Sequence, residues 1–516
     1  MTTRTLGLAA LAALAGVLLY GAHPPFDVGW LAPIAIAVLA AVGRRAPGWR
    51  AGASYGMIAG LVFFGLLLSW ILRFGVVPLV LLVSIQATSL AIYLGIVAAW
   101  RGRTGQLFVA VIWWVALEAA RSAWPFGGFA WGVLGYSQHQ DALLPLARVI
   151  GVLGLSAVVA ALGVALEAAV TAVTTRDRLL RALLATGGLV VLVAVSVVVA
   201  PAPPRVTGRT LDIAAVQGND IELPSEIDRL NRVRIDQVVE RMVTATAVLE
   251  DDPPDVAVWP ENSLDADFRS DPALAAQVER ALSALDGGTL LAGALLDGPT
   301  ESQILNVIIQ LNPDGDIVDR HIKRRLVPFG EYVPLRSLFD WYSPLEQIAR
   351  DQISGDEPTV FDVAGARIAP VNCYESIFPG LLHDQVRAGA NIIALSTNNA
   401  SFGRTPASDQ HLAFTQVRAV EAGRWIMHAG ISGVSAIVSP TGDTTQRTEL
   451  FEQAIVRGEL PLIDELTLAT RFAHLVGPTA VALAALSLIV LVTSHHSRRE
   501  DRGKIESERT LEASSR

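Results

Sequence analysis

Residues 367–375 read Arg367-Ile368-Ala369-Pro370-Val371-Asn372-Cys373-Tyr374-Glu375. A short apolar run of strand length stops at an Asn, and the next residue is the only cysteine in the chain. Sheets of the α/β class assemble their sites at strand ends, so a strand that ends on a thiol is a candidate nucleophile position. Two more chemical residues stand the same way. Asp255–Trp259 predicts a strand ending at Pro260-Glu261, and 316–322 predicts one that runs into Lys323. A thiol becomes a good nucleophile only when a base or a positive charge favours its thiolate. A carboxylate can take the thiol proton and a lysine can stabilise a developing oxyanion. Singly, such a Cys reads as a small buried hydrophobe, such a Glu as a loop carboxylate and such a Lys as a solvated charge. Together they carry a mechanism.

Outward from these three, residues 206–470 read as one α/β domain. Further strands are expected at Leu211–Gln217, 289–296, 304–311, 391–397, near 424–431, 434–439 and 454–460. Helices are expected at 226–249, 272–284 and 406–422. Asn312-Pro313-Asp314-Gly315 is a hairpin turn between the 304–311 and 316–322 strands. Strands alternating with helices, with hairpins, imply an α/β sandwich.

Before and after this domain the chain is of another kind. A bilayer core takes about 20 apolar residues in a helix. Seven candidates precede the domain, at 5–22, 28–43, 51–72, 76–100, 107–120, 149–173 and 182–201, and an eighth lies at 475–493. The second and fifth are short. Arginine placement gives the sidedness. With the N-terminus inside, inner loops hold Arg44, Arg45 and Arg50, then Arg101 and Arg103, then Arg176, Arg178 and Arg181. The tail after Ser494, expected to be disordered in the cytoplasm, adds Arg498, Arg499, Arg502 and Lys504. The α/β domain then faces outward. Glu118 and Arg121, near the end of the fifth span, are expected to pair at the interface, and Glu167 lies within the sixth. Trp124–Trp131 reads as an aromatic loop anchored at headgroup level, with contact to a lipid substrate as the sharper alternative.

Composition agrees with a membrane protein. Of 516 residues, 52% are hydrophobic and 17% charged, and the net charge of −9 argues against a nucleic-acid partner. One cysteine excludes an intramolecular disulfide and a Cys-rich metal site. Lys323 and Lys504 are the only lysines among 40 basic residues. Lysine, unlike arginine, can give up its proton when its surroundings demand it, so a lone Lys inside the domain invites a chemical explanation.

Val258-Trp259-Pro260-Glu261-Asn262-Ser263, His321-Ile322-Lys323-Arg324-Arg325-Leu326-Val327-Pro328-Phe329-Gly330-Glu331-Tyr332-Val333-Pro334 and Asn372-Cys373-Tyr374-Glu375 resemble, in that order, the nitrilase (carbon–nitrogen hydrolase) superfamily. The Lys-to-Pro stretch, the seven-plus-one span layout and Gly127–Gln138 resemble more narrowly the apolipoprotein N-acyltransferase family. That resemblance implies an αββα sandwich outside a bacterial cytoplasmic membrane, with Cys373 as acylated nucleophile, Glu261 as general base and Lys323 as oxyanion partner. It implies Glu331 as a second, orienting carboxylate. Tyr374 and Glu375 would flank the nucleophile and shape its pocket, with the Tyr374 N–H a possible oxyanion donor. It implies a phospholipid acyl donor, a diacylated lipoprotein acceptor, a ping-pong course, no metal or cofactor, and a monomer. Two segments depart from the family. Thr397-Asn398-Asn399-Ala400-Ser401-Phe402-Gly403 lacks the usual Asp and Trp, and Met427-His428-Ala429-Gly430 stands where an Arg and an Asn are usual. The rival readings are a membrane-tethered amidase or nitrile hydrolase, a ligand-binding membrane protein, and an inactive homologue.

Overall fold

The computed structural model describes residues 3–172, 176–220, 232–339 and 341–494. Helices stand at all eight expected span positions: α1 (Thr3–Gly21), α2 (Leu31–Arg45), α3 (Trp49–Leu67), α4 (Val76–Ala99), α5 (Gln106–Arg121), α6 (Ala147–Ala172), α7 (Arg176–Val198) and residues 476–494. Among the described residues five are long and apolar enough to cross a membrane. They are α1, α3, α4, the helical run containing α6, and Leu468–Ser494. Inside a bilayer, helices associate through close packing of small residues rather than through the hydrophobic effect. Accordingly Gly52, Gly56 and Gly60 line one face of α3, and a Cβ at Gly56 would come within 2.1 Å of the Leu90 carbonyl of α4. Gly151 has φ +67° and kinks α6. The kink frees the Val152 N–H, which donates to Glu421 Oε1 in the α/β domain at 2.5 Å.

The α/β domain holds two sheets. One orders as β13-β1-β2-β3-β4-β5, with β6 beside β4. Its strands are β1 (Val206–Gln217), β2 (Val256–Leu264), β3 (Thr289–Asp297), β4 (Gln303–Leu311), β5 (Ile317–Ile322), β6 (Asp351–Gln352) and β13 (Ala454–Ile463). The other orders as β12-β11-β10-β9-β8-β7. It comprises β7 (Phe361–Val363), β8 (Ala366–Asn372), β9 (Ile392–Thr397), β10 (Ile426–Gly430), β11 (Ala436–Val438) and β12 (Thr444–Thr445). Ile213, Val258 and Ile308 of the first sheet meet Ile368, Ile392 and Met427 of the second in one apolar layer. Helices α8 (Arg232–Thr246) and α9 (Pro272–Ala284) cover the outer face of the first sheet. Helices α10 (Pro379–Arg387) and α11 (Ala407–Ala422) cover that of the second. The layers are therefore αββα. The β4–β5 hairpin turns at Asn312–Gly315 as expected.

Several expectations need correction. Glu118 and Arg121 are both buried and do not pair. Glu118 Oε1 accepts from Trp114 Nε1 at 3.0 Å and from the Leu134 N–H at 2.7 Å. Arg121 donates to Gln86 Oε1 and to the carbonyls of Phe129, Trp131 and Gly132. An interface offers water to an ionic pair. Here the loop backbone supplies the partners, and each side chain ties that loop to the helix ends. The aromatic loop is split as well. Trp124 is 75% exposed and fits the anchoring role, whereas Trp131 is buried and donates to Gln410 Oε1 of α11 at 2.7 Å. β2 continues past Glu261 to Leu264, and α10, β6, β7 and β12 were not anticipated, being short or irregular in pattern. Of the 226–249 helix, residues 226–231 lie outside the described residues, as does the tail from 495.

Arg44 pairs with Glu167, Arg101 donates to the Ala46 carbonyl at 2.8 Å, and Arg103 meets Ser494 Oγ at 2.5 Å. These arginines gather at the end of the helical domain opposite Val152 and the α/β domain.

Candidate active site

Each site residue is placed by an interruption of regular structure. β2 and β3 pair in register as far as Trp259↔Ala292, then slip before Leu264↔Ala294. At this slip Gly293 passes so close that a Cβ would lie 2.5 Å from the Glu261 Cα. Asn262 there takes φ +59°. The local twist turns Glu261 inward and buries it. Lys323 follows β5 directly, its N–H bound to the Asn306 carbonyl at 2.9 Å. Cys373 follows β8 with φ +47°. For a residue with a Cβ, that left-handed conformation costs about 1–2 kcal/mol. A reciprocal cap holds it: the Asn372 side chain accepts from the Glu375 N–H, and Glu375 Oε2 accepts from the Asn372 N–H at 2.8 Å.

Glu261, Lys323, Glu331 and Cys373 converge. Lys323 Nζ is fully buried, 2.7 Å from Glu261 Oε1 and 2.5 Å from Glu331 Oε1. Asn306 Nδ2 donates to Glu261 Oε1 at 2.9 Å and is itself held by Asn372, whose Nδ2 donates to Asn306 Oδ1 at 2.8 Å. The Asn398 N–H donates to Glu261 Oε2 at 3.2 Å, and the Val327 N–H to Glu331 Oε2 at 2.8 Å. Thr397 Oγ1 donates to Cys373 Sγ at 3.1 Å.

The charges follow from burial and neighbours. Burial opposes charge on Lys323, but Glu261 and Glu331 together overcome it and hold the ammonium above its usual range. Burial likewise opposes charge on Glu261, but Lys323 and the hydrogen bonds from Lys323 and Asn306 outweigh it and keep that carboxyl below its usual range. Glu331 is raised, by burial first and then by the Glu261 charge, against the pull of Lys323. The Cys373 thiol is pushed up to about 12 by burial and by Glu261, with Lys323 acting the other way. At neutral pH the site thus holds a neutral thiol beside an ionised carboxylate and an ammonium. Such a set can transfer a thiol proton as the sulfur attacks and then stabilise an oxyanion.

Tyr374 and Glu375 are buried beside Cys373. The Glu375 carboxylate takes His321 Nε2 at 2.9 Å and the Arg324 N–H at 2.6 Å, besides the Asn372 N–H. Burial works against its charge, but His321 and these donors keep it ionised, below its usual range. Tyr374 OH donates to the Gly128 carbonyl at 2.9 Å and its ring stacks on Phe129. Phe126 meets Phe329 edge-on, so the helical domain's loop closes against the Lys323–Glu331 segment.

Sequence reasoning missed Asn306, and it assigned no role to His321, Thr397 or His411. His411 lies in a helix buried on every side, where no amphipathic pattern singles it out.

The geometry can be set beside known proteins. The profile of the apolipoprotein N-acyltransferase N-terminal domain matches residues 15–165, and that of the carbon–nitrogen hydrolase domain matches 213–465. An apolipoprotein N-acyltransferase of Mycolicibacterium smegmatis is 32% identical over 511 residues, covering 94% of this chain and 84% of that one. One from Geobacter metallireducens is 30% identical over 493 residues, covering 92% and 94%. A solved amidase from Nesterenkonia aligns at TM-score 0.37 and 17% identity over 52% of this chain and 96% of its own. The helices and the domain profile define a membrane protein carrying a carbon–nitrogen hydrolase domain. The chain belongs to the apolipoprotein N-acyltransferase family, and it is an acyltransferase.

Proposed function

We propose that the enzyme moves an acyl chain from a membrane phospholipid to the α-amine of a diacylglyceryl-cysteine at a lipoprotein N-terminus. Cys373 attacks the ester carbonyl while Glu261 takes the thiol proton, and Lys323 stabilises the oxyanion, aided by the Tyr374 N–H. Collapse forms a thioester and releases a lysophospholipid, protonated by Glu261. The lipoprotein amine then attacks the thioester and passes its proton to Glu261, which returns it to the departing Cys373 sulfur. Splitting the transfer into two easier steps is the general gain of covalent catalysis. Glu331 shares Lys323 with Glu261 and fixes its direction. Tyr374 shapes the pocket wall against Phe129, and Glu375 holds the backbone on either side of the nucleophile.

The observation that carries this reading is the meeting of the chain's only cysteine with Glu261 and buried Lys323, at the face closed by the loop of a membrane domain. Arginines clustered at the far end of the helices support an inward-facing N-terminus and an outward-facing site. We read the protein as eight spans and a monomer. The test is a transfer assay with the detergent-purified enzyme, phospholipid and a diacylated lipopeptide. Lysophospholipid should appear in step with lipopeptide heavier by one acyl chain. Free fatty acid in place of acylated lipopeptide would mark the hydrolase instead.

A further inference from the structure

The two segments that depart from the family pattern converge on one side chain. His411 of α11 is buried, with Nδ1 at 3.2 Å from the Asn399 side-chain oxygen and 3.3 Å from Thr397 Oγ1. Its ring meets the His428 ring edge-on, with centroids 5.4 Å apart. Asn399 belongs to the first departing segment and His428 to the second. Thr397 Oγ1 lies 3.1 Å from both Cys373 Sγ and the Asn399 oxygen, and a hydroxyl has one hydrogen to give.

The surrounding network decides where that hydrogen goes. With the Ser376 hydroxyl hydrogen on the Cys373 carbonyl at 2.8 Å, Ser376 Oγ accepts from His411 Nε2, 2.7 Å away. In that arrangement His411 carries its proton on Nε2 and presents a bare Nδ1. Asn399 Nδ2 has no partner among the described residues. An amide's oxygen and nitrogen exchange places by a half-turn without a change of shape. In that orientation the NH2 group donates to both His411 Nδ1 and Thr397 Oγ1. Both amide hydrogens are then used, and the Thr397 hydrogen is left with the sulfur as its acceptor.

We propose that Thr397 is a further catalytic residue, donating its hydroxyl hydrogen to the Cys373 sulfur, and that Asn399 and neutral His411 are positioning residues that aim it. This rests on Cys373 being the acylated nucleophile. The hydrogen bond stabilises sulfur as it becomes a thiolate and again when the amine expels it from the thioester. An Asp at 399 offers only acceptors when ionised, so it would compete for the Thr397 hydrogen and favour a proton on Nδ1. Burial holds His411 down at about 4 and His428 well below its usual range, so the pair stays uncharged at neutral pH. The Asn at 399 and the His at 428 thus work as one uncharged arrangement.

The test is the pH profile of Cys373 alkylation by iodoacetamide in the full-length enzyme, read by intact mass for wild type, Thr397→Val, Thr397→Ser and Asn399→Asp. Loss of a hydrogen bond to a charged group should slow Thr397→Val about ten- to hundredfold at pH 8 and displace its profile to higher pH. Thr397→Ser keeps the hydroxyl and should stay within about threefold of wild type, and Asn399→Asp should slow with Thr397→Val. A wild-type profile in Thr397→Val or Asn399→Asp, or a Thr397→Ser slowed as much as Thr397→Val, overturns the proposal. Acylation of Cys373 by phospholipid is followed in parallel. Missing acylation with a Thr397-dependent alkylation profile refutes the nucleophile reading alone. Normal acylation with an unchanged Thr397→Val profile refutes this inference alone.

Discussion

Lys323 is flanked by two carboxylates, so its ammonium cannot act as the proton acceptor, and that task falls to Glu261. Removing the Glu261 charge should therefore separate reactivity from catalysis. Glu261→Gln loses the general base, and acyl transfer is expected to fall about 10²–10⁴-fold. The same change removes a negative charge that now raises the thiol. Alkylation of Cys373 in that variant should consequently speed up at a given pH, its profile moving to lower pH. Slowed alkylation would mean that proton transfer to Glu261, rather than its charge, governs the reactivity of the thiol. In the wild type the thiol sits at about 12, above the usual thiol range of about 8.5. Thiolate is the deprotonated form, so its fraction grows as pH rises toward that value. The alkylation rate should still be climbing at pH 10, and a plateau reached by pH 9 would contradict this electrostatic picture.

At the scale of elements, Glu375 links two arms of the site. It grips the Asn372 N–H beside the nucleophile and the Arg324 N–H beside Lys323, with His321 of β5 as a third donor. Glu375→Ala leaves these buried donors unpaired, at a cost of about 1–3 kcal/mol each. The expected result is a lower melting temperature and a fall in kcat larger than any change in KM. An unaltered kcat would mean that the two arms hold their geometry without it. Glu261, Lys323 and Cys373 were legible in the sequence because each follows a local apolar run and carries a recognisable flank, although β2 runs on past Glu261 to Leu264. Asn306, Thr397 and His411 were not, because their contacts to the site close through distant strands and a uniformly buried helix. Glu118 and Arg121 misled for a related reason. Nothing local shows that residues 129–134 fold back to supply their hydrogen-bond partners.

Across the whole molecule, the two domains share a core. Phe414, Val417 and Val420 of α11 and Tyr374, Ile377 and Phe378 beside the nucleophile pack in one cluster with Trp131, Tyr136 and Leu144 of the helical domain. Arg418 is buried in this junction, donating to Tyr136 OH at 2.5 Å and pairing with Glu421, while Tyr136 OH donates to the Ile377 carbonyl at 2.9 Å. Phe414→Ala should destabilise the protein by about 3–5 kcal/mol, read as a lower thermal midpoint in detergent. Residues 206–467 expressed without the helices should aggregate unless detergent covers the exposed face, and a monodisperse soluble domain would show that the shared core is dispensable. A site closed by a membrane domain suits substrates that never leave the bilayer. The central claim is therefore tested most directly by the intact mass of the purified enzyme after incubation with phospholipid. The expected result is a fatty-acyl adduct on Cys373, absent in Cys373→Ala and cleared when diacylated lipopeptide is added. A wild-type protein that gains no acyl mass, or loses it as fast to water alone, would contradict transfer through a Cys373 thioester.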